Sequence, residues 1–236
     1  MDLNRALRTT GAVREFSPDP VPDEVVYQVL ETARFAPSGG NRQAWRVVVV
    51  KDPGTRRRLR DLYLIGWYEY LAIRAADLVP WAPITDRDAE RAARRQAEQI
   101  AAEAAQGPGG FAEHFDEVPV LLVLAADLSA LSAVDRDLDR YTFVAGASIY
   151  PLVWSILLAA HDVGLGGVMT TMLVPAETEV RELLGLPPQC ALAGALALGY
   201  PAGGKRPTRL RRGPVEDFAT VDTFEGIPFA PTAHPG

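Results

Sequence analysis

The chain is poor in the residues that carry much familiar protein chemistry. A single cysteine, Cys190, among 236 residues excludes an internal disulfide and offers no thiolate cluster, so a reducing, cytoplasmic setting is expected. The three histidines, His114, His161 and His234, have no cysteine or carboxylate at ligand spacing, so no metal is expected. Cations are outnumbered, 24 Lys and Arg against 30 Asp and Glu, for a net charge of −6. Nucleic acid, which is held by neutralising phosphates, is not an expected partner. Residues 1–10 carry no apolar leader, and no Gly-x-Ser-x-Gly elbow is present for a serine hydrolase.

What is present fits one sizeable domain with a real core: 48% of the residues are hydrophobic and 23% charged. Residues 143–160 form an 18-residue run without a charge, near the lower limit for a membrane span. Ser148, Tyr150, Pro151 and Ser155 interrupt it, and no other stretch looks membrane-embedded. The run reads instead as a helix, from about residue 141 to 163 and kinked at Pro151, at a domain centre or dimer interface.

In chain order, Leu3 and Leu7 mark a short first helix. Three prolines in five residues (Pro18, Pro20, Pro22) then forbid regular structure and set Pro22 at a helix start. Val25, Val29, Ala33 and Ala36 form its buried stripe, which Pro37 ends. Val47 to Val50 reads as a strand covered on both faces. Thr55 is expected to cap the next helix, whose Arg56, Arg57, Arg58 and Arg60 read as a solvated face.

Composition then changes between residues 65 and 117, where Trp67, Tyr68, Tyr70, Trp81, Phe111 and Phe115 surround one polar helix opened by a capping box at Thr85 and Asp88. This region is either a lid over a pocket or an aromatic patch packed under a long insertion. Further strands are expected at residues 118–126, 168–172 and 191–200, with a helix at 175–184 and a polar arm from about 201 to 236.

Two features invite a ligand. Pro37, Ser38, Gly39, Gly40, Asn41 and Gln43 lie between a helix and a strand, where backbone N–H groups and amides can grip something flat, although the same residues make an ordinary turn. Five cations within eight residues (Lys205, Arg206, Arg209, Arg211, Arg212) suit an anion such as phosphate. Gly164-Leu165-Gly166-Gly167 follows a helix and precedes a strand, the reverse of a dinucleotide loop. With no nucleophile, metal or acid–base pair in view, the chain either borrows a cofactor's chemistry or only binds.

Several of these pieces occur in a telling order. They are Val13-Arg14-Glu15-Phe16 before Pro20-Val21-Pro22, Ala36-Pro37-Ser38-Gly39-Gly40-Asn41-x-Gln43-x-Trp45 before Val47 to Val50, and Gly199-Tyr200-Pro201 before Arg212-x-Pro214. Over residues 8–218 the chain resembles the nitroreductase family of FMN oxidoreductases. That resemblance implies an α+β fold, a mixed, largely antiparallel sheet of four or five strands flanked by helices. It implies a single domain over 1–236, and a homodimer around a long central helix with two FMN sites at the interface. It carries cofactor contacts onto Thr10, Gly11, Ala12, Arg14, Pro37, Ser38, Gly39, Asn41, Gln43, Met169, Thr170, Thr171, Arg209, Arg211 and Arg212.

Within that set, Arg14 falls beside the flavin's pyrimidine edge, Ser38 beneath the ring, and Thr170 and Thr171 near its reactive nitrogen. The family's N-terminal phosphate-holding residues are replaced here by Thr10-Gly11-Ala12. Gly40, Trp67, Tyr68, Tyr70, Phe111 and His114 are candidates for the substrate pocket. The implied activity is ping-pong reduction of a small aromatic or conjugated acceptor (nitroaromatic, quinone or enone) by NADH or NADPH through FMN. Alternatives are a flavin store without turnover, a reductive dehalogenase, or a flavin-fragmenting enzyme. Deiodination is disfavoured, because residues 62–115 show no Glu, Tyr and Lys set of the deiodinase kind.

Overall fold

The computed structural model describes residues 2–204 and 210–231. Four strands, β1 (Trp45–Val50), β2 (Val120–Asp127), β3 (Gly166–Thr170) and β4 (Cys190–Gly199), form one sheet in the order β1-β2-β4-β3, with every neighbouring pair antiparallel. A single parallel bridge from Ala12 to Gly167 makes the sheet mixed.

The apolar runs of β2 and β4 are continuous because both faces of the sheet are covered. On β2, Val120, Leu122, Leu124 and Ala126 face one core cluster, while Leu121 and Val123 face the other. Alternation with a period of two therefore feeds two cores from one strand. The first core is closed by helices α2 (Asp23–Ala33) and α6 (Tyr150–Asp162), the second by α3 (Pro53–Ala75) and α7 (Glu177–Leu184). Each fully buried Leu or Val there contributes about 1.5–3 kcal/mol. The short α1 (Leu3–Thr9) leads into the Ala12 bridge, and α4 (Arg87–Arg94) and α5 (Ala97–Ala104) pack on α3.

Several helix boundaries differ from the sequence expectation. Residues 143–160 are not one kinked helix: a 3-10 turn, Val144–Ser148, precedes α6, and Pro151 sits in the first turn of α6. Proline breaks no hydrogen bond in that place, since the early N–H groups have no partner within the helix. The start of the 3-10 turn is held by buried Asp135, whose carboxylate accepts from the N–H groups of Phe143 (3.0 Å) and Val144 (3.3 Å) and from Arg140 (2.8 Å).

Helix α3 is capped by Asp52, which accepts from both the N–H and the hydroxyl of Thr55, so Thr55 is the third helical residue rather than the cap. It then runs 23 residues, through Trp67, Tyr68 and Tyr70, so the aromatic region expected from residue 65 begins inside a helix. The polar helix beyond it is two helices, α4 and α5, and the cap of α4 is Asp86 rather than Thr85. Helix α2 stops at Ala33, before Pro37, with the Arg34 N–H still bonded to the Leu30 carbonyl. Among the described residues, no helix is long and apolar enough to cross a membrane.

Candidate functional site

The 23-residue length of α3 has a direct consequence. Tyr63, Trp67, Tyr70 and Arg74 are spaced i, i+4, i+7, i+11, which places all four on one face of a helix. That face forms one wall of a cleft of about 520 Å³. Arg14, the end of β3 with the residues after it (Val168 to Met172), and the Gly110–Glu113 turn complete the lining.

The walls are held rigidly. Trp67 and Tyr70 stack at 5.4 Å between ring centres, and the Arg74 guanidinium lies 5.7 Å from the Tyr70 ring centre. Tyr63 stacks on Phe115 at 4.3 Å and meets Phe111 edge-on at 6.4 Å. The Thr170 hydroxyl donates to Tyr63 Oη at 3.1 Å, which ties the end of β3 to α3. Burial pushes the Tyr63 hydroxyl above its ordinary pKa, against the smaller lowering effects of the Thr170 bond and the nearby Arg14 charge.

Backbone proximity makes this junction possible. A Cβ on Gly66 would lie 2.4 Å from the Met172 carbonyl oxygen, so only glycine lets α3 pass this close to the cleft floor. Opposite, β4 bulges where the register shifts between Leu124 and Ala125, and Gly194 at φ 147° lies against the Thr170 carbonyl.

The turn that carries Phe111 is latched by Glu113. Its carboxylate accepts from Tyr68 Oη at 3.1 Å and from the Gly110 N–H at 2.7 Å. Burial first, then the Glu113 bond and charge, push Tyr68 up to about 12. Burial raises Glu113, but its hydrogen bonds from Gly110, its own backbone and Tyr68 outweigh that and leave it below the usual carboxylate range.

Of the residues singled out from sequence, the structure gathers Arg14, Met169, Thr170, Thr171, Trp67, Tyr70 and Phe111 around this cleft. Tyr68 and His114 do not line it: Tyr68 acts through Glu113, and His114 Nε2 lies 2.9 Å from the Pro108 carbonyl. The loop residues Pro37, Ser38, Gly39, Gly40, Asn41 and Gln43 do not line it either. That loop is a 3-10 turn, Gly39–Asn41, in which Ser38 Oγ accepts from the Gln43 N–H and the Gly39 N–H donates to Ser148 Oγ, both at 3.0 Å.

Thr10, Gly11 and Ala12 lie just before Arg14, outside the lining. The Thr10 hydroxyl donates to the Ala6 carbonyl at 2.8 Å and lies 2.6 Å from His161 Nδ1, and the Gly11 N–H bonds to the Thr9 carbonyl. Arg211 and Arg212 are exposed and do not line the cleft, while Lys205, Arg206, Arg209 and His234 lie outside the described residues. Sequence reasoning missed Tyr63, Arg74, Glu113 and Met172. The stripe from Tyr63 to Arg74 was the available signal, hidden by dividing α3 at residue 65.

The family model described as Nitroreductase family matches residues 7–200, most of the chain and all four strands. The chain belongs to the nitroreductase family. An NADH dehydrogenase of Thermus thermophilus is 31% identical over 229 residues, covering 86% of this chain and 88% of that protein. Among solved structures, an NADPH:FMN oxidoreductase from Vibrio harveyi complexed with NAD+ matches with a TM-score of 0.62 at 19% identity, over 94% of this chain and 77% of the other. An iodotyrosine deiodinase bound to FMN and 3-iodo-L-tyrosine matches with a TM-score of 0.62 at 24% identity, over 94% and 100%. The two solved structures share the fold found here.

Proposed function

We propose that this nitroreductase-family chain is an FMN-dependent NAD(P)H oxidoreductase that reduces a small aromatic or conjugated acceptor of nitroaromatic, quinone or enone type. The observation that carries the reading is the single cleft in which Arg14, the Thr170–Thr171 pair and an aromatic helix face meet. The donor set fits FMN at its ring end: a cation for the pyrimidine edge, hydroxyls and backbone at the end of a strand, and flat aromatic walls. Bound there, FMN would supply two-electron transfer from a reduced nicotinamide to the acceptor in two successive half-reactions.

The chain's own residues position and polarise. Arg14, which lines the cleft, would hold the pyrimidine edge of a bound flavin and would offer a fixed positive charge to stabilise its reduced, anionic form. Tyr63, accepting from Thr170, keeps its own O–H as a donor, and burial keeps that proton in place at neutral pH. Trp67, Tyr70 and Phe111 exclude water and offer stacking surface.

The reading includes a homodimer. Within one chain the Ser38–Gln43 loop does not line the Arg14 cleft, so a second copy is the means by which the loop would reach a cofactor. Phosphate would fall to the tail cations, of which Arg211 and Arg212 are described and exposed. The excursion between α3 and β2 would cover the acceptor.

Anaerobic mixing of the FMN-loaded protein with NADH or NADPH tests this reading. It predicts reduction of the flavin, followed by reoxidation on adding a nitroaromatic, quinone or enone. Flavin that stays oxidised with both nucleotides would indicate a store, and reoxidation by halophenols with halide release would indicate a dehalogenase.

A further inference from the structure

The Arg14 cleft carries one cation more than a flavin ring would use. Arg74 lines it as well. Tyr63 and Arg74 lie 11 residues apart on α3, which is about 16 Å along the helix axis. The Arg14 charge acts on the Tyr63 hydroxyl, so the two arginines stand towards opposite ends of one wall. A flavin whose pyrimidine edge meets Arg14 therefore leaves Arg74 for a different group.

Two features mark Arg74 as a recognition group. The first is that its charge is unmet. Among the described residues, neither Arg14 nor Arg74 is ion-paired. Of the described residues that line the cleft, one is a carboxylate, Glu113, and both of its oxygens are engaged. Oε1 accepts from Tyr68 Oη and Oε2 from the Gly110 N–H. Two cations against one engaged anion leave the cleft net positive. The helix dipole favours a cation in the last turn of α3, but it does not account for the second feature, the platform beside that cation. Trp67 and Tyr70 stack with their rings 14° from parallel, and the Arg74 guanidinium is held over the Tyr70 ring at 5.7 Å. A flat aromatic surface and a fixed cation thus lie side by side within one cleft.

We propose that Arg74 makes this cleft select acceptors that carry a carboxylate on a flat conjugated ring. The ring lies against the Trp67–Tyr70 platform, and the carboxylate takes the Arg74 guanidinium, whose parallel N–H groups match its two oxygens. Arg74 decides which acceptor is held and takes no part in electron transfer. For a quinone, the balance is that of the reading above: NAD(P)H, a proton and the quinone give NAD(P)+ and the hydroquinone. The proposal rests on the oxidoreductase reading for the word acceptor, and on the cleft's charge and platform for the ligand class.

The test compares a naphthoquinone bearing a propionate side chain with the methyl ester of the same compound. With the flavin-loaded protein, Arg74→Gln is expected to lower the ratio of kcat/KM for the acid over the ester about fivefold, the upper end for an exposed ion pair. Arg74→Lys, which keeps the charge but loses the fork, should give a ratio between the two. Calorimetric titration of the acid into the oxidised protein gives a readout without turnover, and Arg74→Gln should weaken that binding by a similar factor. A ratio and an affinity both unchanged by Arg74→Gln would overturn the proposal even in an active enzyme. A loss of FMN affinity in Arg74→Gln, or slower flavin reduction by NADPH alone, would overturn it by giving Arg74 to a phosphate. Arg74-dependent binding of the acid in a protein that NADH and NADPH do not reduce would refute the oxidoreductase reading and the acceptor role, leaving only the ligand class.

Discussion

Replacing Gly66 by alanine tests whether α3 and the cleft floor are in the close contact described here. In an ordinary helix interior this change stabilises by about 1 kcal/mol, because glycine is the poorer helix former. Here the new Cβ would meet the Met172 carbonyl oxygen at 2.4 Å, the Met172 carbonyl carbon at 3.2 Å and Pro175 Cγ at 3.1 Å. Ordinary contact begins near 3.4 Å, so about 1 Å of separation must be found. The obstacle is backbone between a strand end and the buried Leu173, so no side-chain rotation relieves it.

Overpacking of this kind costs about 1–3 kcal/mol, and the rigid neighbour puts Gly66→Ala in the upper part of that range. Subtracting the helix gain leaves a net loss of about 1–2 kcal/mol. For a chain of this size that lowers Tm by roughly 2–8 °C. Thermal melts followed by circular dichroism measure it, together with guanidinium unfolding. A Tm that stays level or rises, as for a glycine in an open helix, would refute the contact.

Other consequences follow from the same geometry. Arg14→Gln should weaken FMN binding and slow flavin reduction by NAD(P)H by about tenfold or more, the usual size for one electrostatic donor at a reacting centre, as read by fluorescence titration and stopped flow. Tyr68 should be among the last tyrosines to ionise in an ultraviolet titration. Its raised pKa means that its contribution to stability is complete below about pH 10, the ordinary tyrosine value, and is lost as pH rises through about 12; Glu113→Gln should bring that titration down. His114 is raised first by the Pro108 carbonyl and then by Glu117. Its contribution is therefore present below the ordinary histidine pKa and fades as pH rises through the raised one, and NMR titration should show Glu117→Gln moving it down.

The sheet was legible in the sequence because its central strands, β2 and β4, are buried on both faces. The edge strand β1, expected to be covered on both faces as well, instead leaves Val49 exposed. Runs such as Val47 to Val50 and Leu121 to Val123 admit few other readings, and each strand lay within two residues of its expected place. Helix starts were harder where two candidates sit side by side. Asp52 and Thr55 are both good caps, as are Thr85 and Asp86, and only the fold decides which oxygen meets the open N–H groups. The start of the 3-10 turn depends on Asp135, eight residues before Phe143, a partnership that no local pattern encodes.

The cleft was half legible. Arg14 and the two threonines were placed by resemblance, and Trp67, Tyr70 and Phe111 by composition. Tyr63 and Arg74 were lost because the helix was cut where the composition changed rather than where its period ended.

The central claim is that this chain holds a flavin in the Arg14 cleft, and the visible spectrum of the purified protein after incubation with FMN and gel filtration tests it most directly. The account predicts flavin absorption that co-elutes with the protein and is lost or much reduced in Arg14→Gln. A colourless protein peak, or retained flavin indifferent to Arg14→Gln, would contradict it.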